Sequence, residues 1–200
     1  MPRFTGINPE MKVFDLSRGI ELIEGYCDDH DAEGHTHQTS EHGIDPHTWM
    51  SPANVKIIAK NILNSLLEIY PEDSATFLSN YNLFIGMADS VETLYNEKSG
   101  KLNGQNFIIY HPALAYLARD YGMEQLSLEF EGKEPTPAHI KTIIDQARER
   151  NISAVFVQKQ FSIDNSRSLA EEIGAQIIVI DPMDEDWKGQ MIQILNYLTQ

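Results

Sequence analysis

The first chemical signal in this sequence is where its seven histidines fall. His30, His35, His37, His42 and His47 crowd into eighteen consecutive residues, interleaved with Asp28, Asp29, Asp31, Glu33 and Glu41. Histidine-rich acidic tracts capture borderline divalent cations. The alternative is a solvated polar stretch that happens to hold histidines, and five of the seven in one place counts against it. Three more positions combine chemistry with place. Asp45-Pro46-His47 stands just before a helix start, Tyr110-His111-Pro112 follows one apolar run, and Ile180-Asp181-Pro182 follows another. Two imidazoles and a carboxylate suit a cation such as zinc. From residue type and position alone two readings stay open. His111 is either a ligand or a hydrogen-bonded residue past a strand, and Asp181 is either a ligand or a turn residue before proline.

Other chemistries find no motif. Cys27 is the only cysteine, so an intramolecular disulfide and a zinc finger are both excluded. HExxH, GxSxG, GxGxxG and the phosphate-binding P-loop are absent. Trp49 and Trp187 read as packing aromatics near helix starts, and His139 as a surface residue.

The elements that must position these residues follow from periodicity. Lys12–Asp15 reads as a short strand, Ser17–Glu24 as a turn or irregular segment, and Cys27–Gly43 as loop. Ser51-Pro52 opens a helix whose apolar face is Val55, Ile58, Ala59, Ile62, Leu63 and Leu66, and Pro71 ends it. A longer helix, Asp73–Lys98, carries the stripe Phe77, Tyr81, Phe84, Ile85, Ala88, Val91 and Tyr95; at ~1.5 Å per residue it nears 40 Å, the reach of a strut between lobes. Strands then alternate with helices: Asn106–Tyr110, Pro112–Tyr121, Gln125–Phe130, a helix capped by Thr136, Ser153–Val157, Asn165–Ile173, Gln176–Ile180 and Trp187–Leu198. Such alternation implies parallel crossovers and a doubly wound α/β sheet. His111 and Asp181 would then each stand at the carboxyl end of a parallel strand, where open α/β sheets bind ligands.

Length and composition bound the rest. The 200 residues are 42% hydrophobic and 22% charged, enough for a buried core without disulfides. Fifteen basic against thirty acidic residues give a net charge of −15, which repels phosphate backbones, so nucleic acid is not expected as a partner. No apolar run approaches the ~20 residues of a membrane helix. The opening MPRFTGINPE has no basic-then-apolar leader pattern, so the chain reads either as cytoplasmic or as a mature or truncated part of something longer.

The ordered set DPHTWMSP after a His-rich acidic loop, a long helix, YHPALAYLARDYG, EPTPAHI, VFVQKQFS and VIDPM resembles the metal-specific solute-binding proteins of bacterial zinc/manganese ABC transporters, in particular their zinc-binding, ZnuA-like type. The resemblance runs from about Lys12 to the C-terminus. It implies two α/β lobes joined by one long helix, with metal in the cleft between them. It implies His47, His111 and Asp181 as metal ligands, and the loop histidines His30, His35, His37 and His42 as weak auxiliary sites. A histidine at the third ligand position, as here, is typical of zinc binders, so zinc is expected ahead of manganese. It further implies delivery of the metal to an ABC permease, a periplasmic or cell-surface location, and no catalysis. The family carries a longer N-terminal portion with another histidine ligand that nothing before His47 matches. The expected division is therefore 1–70 as the end of a first lobe with the loop at 27–43, 71–100 as the connecting helix, and 101–200 as the complete second lobe. An open three-ligand site and self-association through uncovered apolar surface follow from that reading.

A zinc-dependent hydrolase is the rival, because water on an open three-ligand zinc reaches a pKa near ~7. Its general base would have to come from Glu129, Glu131 or Glu134, which qualify only by being acidic. A truncated fragment without function is the third reading.

Overall fold

The computed structural model describes residues 6–24, 43–129 and 134–200. Cys27, Glu131 and the loop histidines His30, His35, His37 and His42 lie outside the described residues.

Two helices come first. Helix α1, Pro52–Ile69, starts where Ser51 Oγ accepts a hydrogen bond from the Asn54 amide and proline takes the first turn. Helix α2, Ser74–Glu97, follows across a tight turn containing Pro71 and spans about 36 Å. Lys56 on α1 ties the pair together, with Asp89 at 3.1 Å and Glu92 at 2.7 Å. Of the stripe expected on α2, only Ala88, Val91 and Tyr95 are buried, all in its C-terminal half. Phe84 is exposed, as are Leu78 and Leu83 beside it, because this half of α2 has α1 to pack on but no sheet beneath it.

The single turn α3, Ser99–Leu102, leads into strand β1, Asn106–Ile109. Helix α4, Ala115–Tyr121, strand β2, Glu124–Ser127, and helix α5, Pro137–Glu149, follow. Strand β3, Ala154–Gln158, helix α6, Asp164–Ile173, strand β4, Gln176–Ile180, and helix α7, Trp187–Leu198, complete the chain. All pairings are parallel, and the order is β2-β1-β3-β4. Helix α4 ends on Gly122 at φ +67°, where a Cβ would meet Asn103 Oδ1 at 2.3 Å, so only glycine fits that turn.

Strand alternation builds two cores from one sheet. Phe107, Ile109, Phe156, Ile178 and Ile180 face α2, α4 and α7, packing on Val91, Tyr95, Leu117, Met191 and Ile194. Ile108, Tyr110, Val155 and Val157 face α5 and α6, packing on Ile143, Ile144, Leu169 and Ala170. Burial on both faces is what the near-continuous apolar runs require.

Lys12–Asp15 is not a strand. Lys12 and Val13 are exposed, and the only β pairing of the early chain among the described residues is one antiparallel bridge between Glu24 and Ile44. The expected Gln125–Phe130 strand is four residues, 124–127. Phe156, fully buried in central β3, is the test of the double-sided core. Phe156→Ala is expected to lower the unfolding free energy by about 3–5 kcal/mol in urea titration, and a loss below ~1 kcal/mol would contradict this packing.

Candidate metal centre

Strand order reverses between β1 and β3: the chain leaves β1 to one side for β2, then returns to the other side for β3. The carboxyl ends of the strands at such a reversal open a crevice, since the connections diverge there. His111, two residues past β1, stands at that crevice. Its backbone is gripped by Gln158 at the end of β3, whose Oε1 accepts from the His111 amide at 3.2 Å and whose Nε2 donates to the His111 carbonyl. Gln158 is a buried polar residue at 2% exposure, and this exchange satisfies it. The His111 ring stacks on Phe161, with centroids 5.7 Å apart.

His47 reaches the same crevice from the turn before α1. The two rings meet edge to face, with centroids 5.0 Å apart, and their Nε2 atoms are separated by 3.3 Å. Each ring is held from behind by a carboxylate. Asp45 Oδ1 accepts from His47 Nδ1 at 2.8 Å and from the His47 amide at 2.8 Å. Glu129 Oε2 lies 2.9 Å from His111 Nδ1. An ionised carboxylate only accepts, so both Nδ1 atoms must carry hydrogen. Both Nε2 lone pairs are thereby turned toward one point. Two nitrogens each ~2.0–2.1 Å from a tetrahedral cation lie about 3.3–3.4 Å apart, which matches the observed separation. Carboxylates behind ligating imidazoles fix the tautomer and raise ligand basicity.

Asp181 stands past β4, as expected, but its carboxylate is otherwise engaged. Oδ1 accepts from Gln160 Nε2 at 2.9 Å and from the Met183 amide at 3.1 Å, and Oδ2 lies 3.2 Å from Lys159 Nζ. The Gln160 hydrogen bond, then those of Lys159 and Met183, hold this carboxyl below the usual carboxylate range. Among the described residues its hydrogen bonds go to these groups and to neither imidazole. Nor do three His, Cys, Asp or Glu side chains converge among the described residues as a ready ligand shell. His47 and His111 come together; Asp181 does not join them among the described residues, and only its turn is tied to theirs. The link is a lacing of two indoles: Trp49 Nε1 donates to the Pro182 carbonyl at 2.9 Å, and Trp187 Nε1 donates to the Trp49 carbonyl at 2.9 Å. The tryptophans thus join the His47 turn to the Asp181 turn, beyond the packing expected of them. His139 is half-buried, not a surface residue, and its Nε2 donates to the Ser127 carbonyl at 3.0 Å.

Asp45, Glu129 and Gln158 hold the two histidines, a role the sequence reading did not give them; Glu129 entered it only as a candidate base. Asp45 lies inside the DPH motif, and its spacing of two from His47 is a readable Asx-type signal. Glu129 and Gln158 are near His111 only through strand pairing, and nothing local marks them.

The chain is an α/β protein with a parallel sheet, and two carboxylate-backed imidazoles stand at its strand reversal. A family model described as the periplasmic zinc-uptake complex component A matches residues 2–200, and the chain belongs to that family. It is 28% identical over 186 residues to the high-affinity zinc uptake system protein ZnuA of Bacillus subtilis, covering 92% of this chain and 58% of that protein. A crystal structure of ZnuA superposes with a TM-score of 0.83 at 30% identity, covering 99% of this chain and 72% of that one. A zinc-bound ZnuA lacking residues 138–173 of its own chain gives 0.79 at 31% identity over the same shares. The chain thus spans just over half the length of its Bacillus relative.

The tautomers are open to direct measurement. Nitrogen-15 shifts of the imidazole rings in metal-free protein are expected to show a protonated Nδ1 on both His47 and His111. A bare Nδ1 on either ring would contradict the carboxylate arrangement.

Proposed function

We propose that the chain captures zinc, with manganese a weaker fit, and delivers it to an ABC permease outside the cytoplasm, in the periplasm or at the cell surface. The observation that carries this is the Nε2–Nε2 separation of 3.3 Å between two rings whose Nδ1 atoms face carboxylates. That arrangement is a two-ligand nucleus. Neutral imidazoles supply the nitrogens, and the charges of Asp45 and Glu129 behind them favour a cation over a neutral solute. Asp181 is the third ligand in this reading, and capture requires the cation to draw its carboxylate away from Lys159 and Gln160. Lys159 is largely exposed, so that exchange is inexpensive. His30, His35, His37 and His42 are auxiliary weak sites, which the sequence pattern supports.

The relatives' descriptions as zinc-uptake and zinc-binding proteins support the same reading. So does the site's chemistry against hydrolysis: Glu129, the acidic residue beside His111, is committed to its Nδ1 and is not placed to act on a water. We read residues 1–70, 71–100 and 101–200 as the end of one lobe, a connector and a second lobe. The exposed Leu78, Leu83 and Phe84 on α2 support self-association of this chain.

Zinc titration in competition with a chromophoric chelator tests the assignment. The tightest site is expected to vanish in His47→Ala and in His111→Ala, and to weaken by about tenfold or more in Glu129→Gln. A chain lacking residues 28–41 is expected to keep that site and lose several weaker ones. Equal affinity across the set would remove the imidazole pair from metal binding.

A further inference from the structure

Asp45 orients His47, which raises the question of what orients Asp45. Each of its polar groups is committed. Its carboxylate holds His47, its amide donates to the Ile23 carbonyl at 2.9 Å, and its carbonyl accepts from the Tyr116 hydroxyl at 2.8 Å. The same hydroxyl accepts from the Ile23 amide at 3.1 Å. One oxygen therefore closes a ring of hydrogen bonds across the neck formed by residues 23–24 and 44–45, which the Glu24–Ile44 bridge also joins. Tyr116 is fully buried, and its ring carries the Arg119 guanidinium at 5.2 Å. Arg119 in turn donates to the Glu21 carbonyl at 2.7 Å, so helix α4 holds the neck at two points.

The position of Tyr116 along the chain matters as much as its bonds. It is five residues after His111, in the first turn of α4 and directly beyond the connection from β1. The connection is short and its Ala113 and Leu114 are buried, so His111 and the Tyr116 hydroxyl are parts of one packed unit. That unit sets one histidine directly and the other through Tyr116, Asp45 and His47 in series. We propose that Tyr116 is a positioning residue, whose hydroxyl fixes the Asp45–His47 turn at the separation from His111 that binding of a cation by the two rings requires. The inference rests on the reading of His47 and His111 as a metal-binding pair.

The chain supplies its own matched comparison. Tyr95 is equally buried, and its hydroxyl donates to a backbone carbonyl, that of Met191, at 2.8 Å, joining α2 to α7. Both Tyr116→Phe and Tyr95→Phe remove a buried hydroxyl's bond to a backbone carbonyl, and Tyr116→Phe also removes the bond accepted from the Ile23 amide. Zinc affinity of the tightest site would be measured by chelator competition, and the visible absorption of the cobalt(II) form would be recorded, for both variants, wild type and His47→Ala. Tyr116→Phe is expected to bind zinc about tenfold more weakly, the scale of one lost hydrogen bond to a buried carbonyl, and to give a weakened, broadened cobalt spectrum. Tyr95→Phe is expected to match wild type in both while losing comparable resistance to urea. Wild-type affinity in Tyr116→Phe, or equal weakening in both, would overturn the proposal. Unchanged affinity in His47→Ala would instead overturn the metal-pair reading beneath it. Hydrogen exchange in the wild-type chain supplies a test that needs no variant. Saturating zinc is expected to slow exchange of the Ile23 and Asp45 amides about tenfold or more while leaving the Leu195 amide in α7 unchanged. No slowing at the neck would sink the coupling.

Discussion

The separation between two imidazole nitrogens is the constraint on which the rest of this molecule depends. Two neutral rings do not approach nitrogen to nitrogen unaided, because their lone pairs repel. Here the approach is enforced from behind by Asp45 and Glu129, which turn the Nδ1 hydrogens outward and leave Nε2 no direction but inward. The fold then has one task, to hold the two carboxylates on opposite walls of a crevice. Glu129 comes from the segment just past β2, which the parallel pairing with β1 brings alongside His111. Asp45 comes from the early chain, which has little regular structure among the described residues and is held by hydrogen bonds to α4. One wall is thus fixed by sheet register, the other by a few side chains.

That contrast explains the uneven distribution of burial. The sheet and its five covering helices carry two closed cores, whereas the paired α1 and α2 leave their far halves with exposed apolar side chains. Stability concentrates where His111 sits. The His47 side is anchored by Tyr116, Arg119 and the two indoles, contacts that are specific but few. In the proposed reading, one stiff wall and one wall secured by a small number of hydrogen bonds suit capture followed by release, because the second wall can yield without disturbing the first.

Much of the fold was legible from local pattern. The run NFIIY reads as a buried strand and is one, whereas QIIVI reads the same way but forms an edge strand whose Val179 is exposed; Ser51-Pro52 and Thr136-Pro137 marked helix starts that the structure reproduces. The parallel sheet followed from alternation. His111 was marked by the strand end before it and the proline after it, and His47 by the proline before it and the helix start that follows. What was not readable depended on partners distant in sequence. Lys12–Asp15 has a strand's composition but pairs with no strand among the described residues. The stripe on α2 has the right period, yet half of it faces solvent. Glu129 and Gln158 acquire their roles through strand register alone, and Asp181 shows how a residue in the expected place can be claimed by a nearby amide and ammonium group.

The indole lacing has an optical consequence. The chain contains two tryptophans, and both belong to the seam between the His47 turn and the Asp181 turn, with the ring of His47 5.5 Å from that of Trp49. Ultraviolet emission excited at the red edge of indole absorption therefore originates entirely at this seam. Any shift of one turn against the other changes the surroundings of every emitter in the molecule, so the unlabelled protein carries its own gauge of how tightly the crevice is drawn.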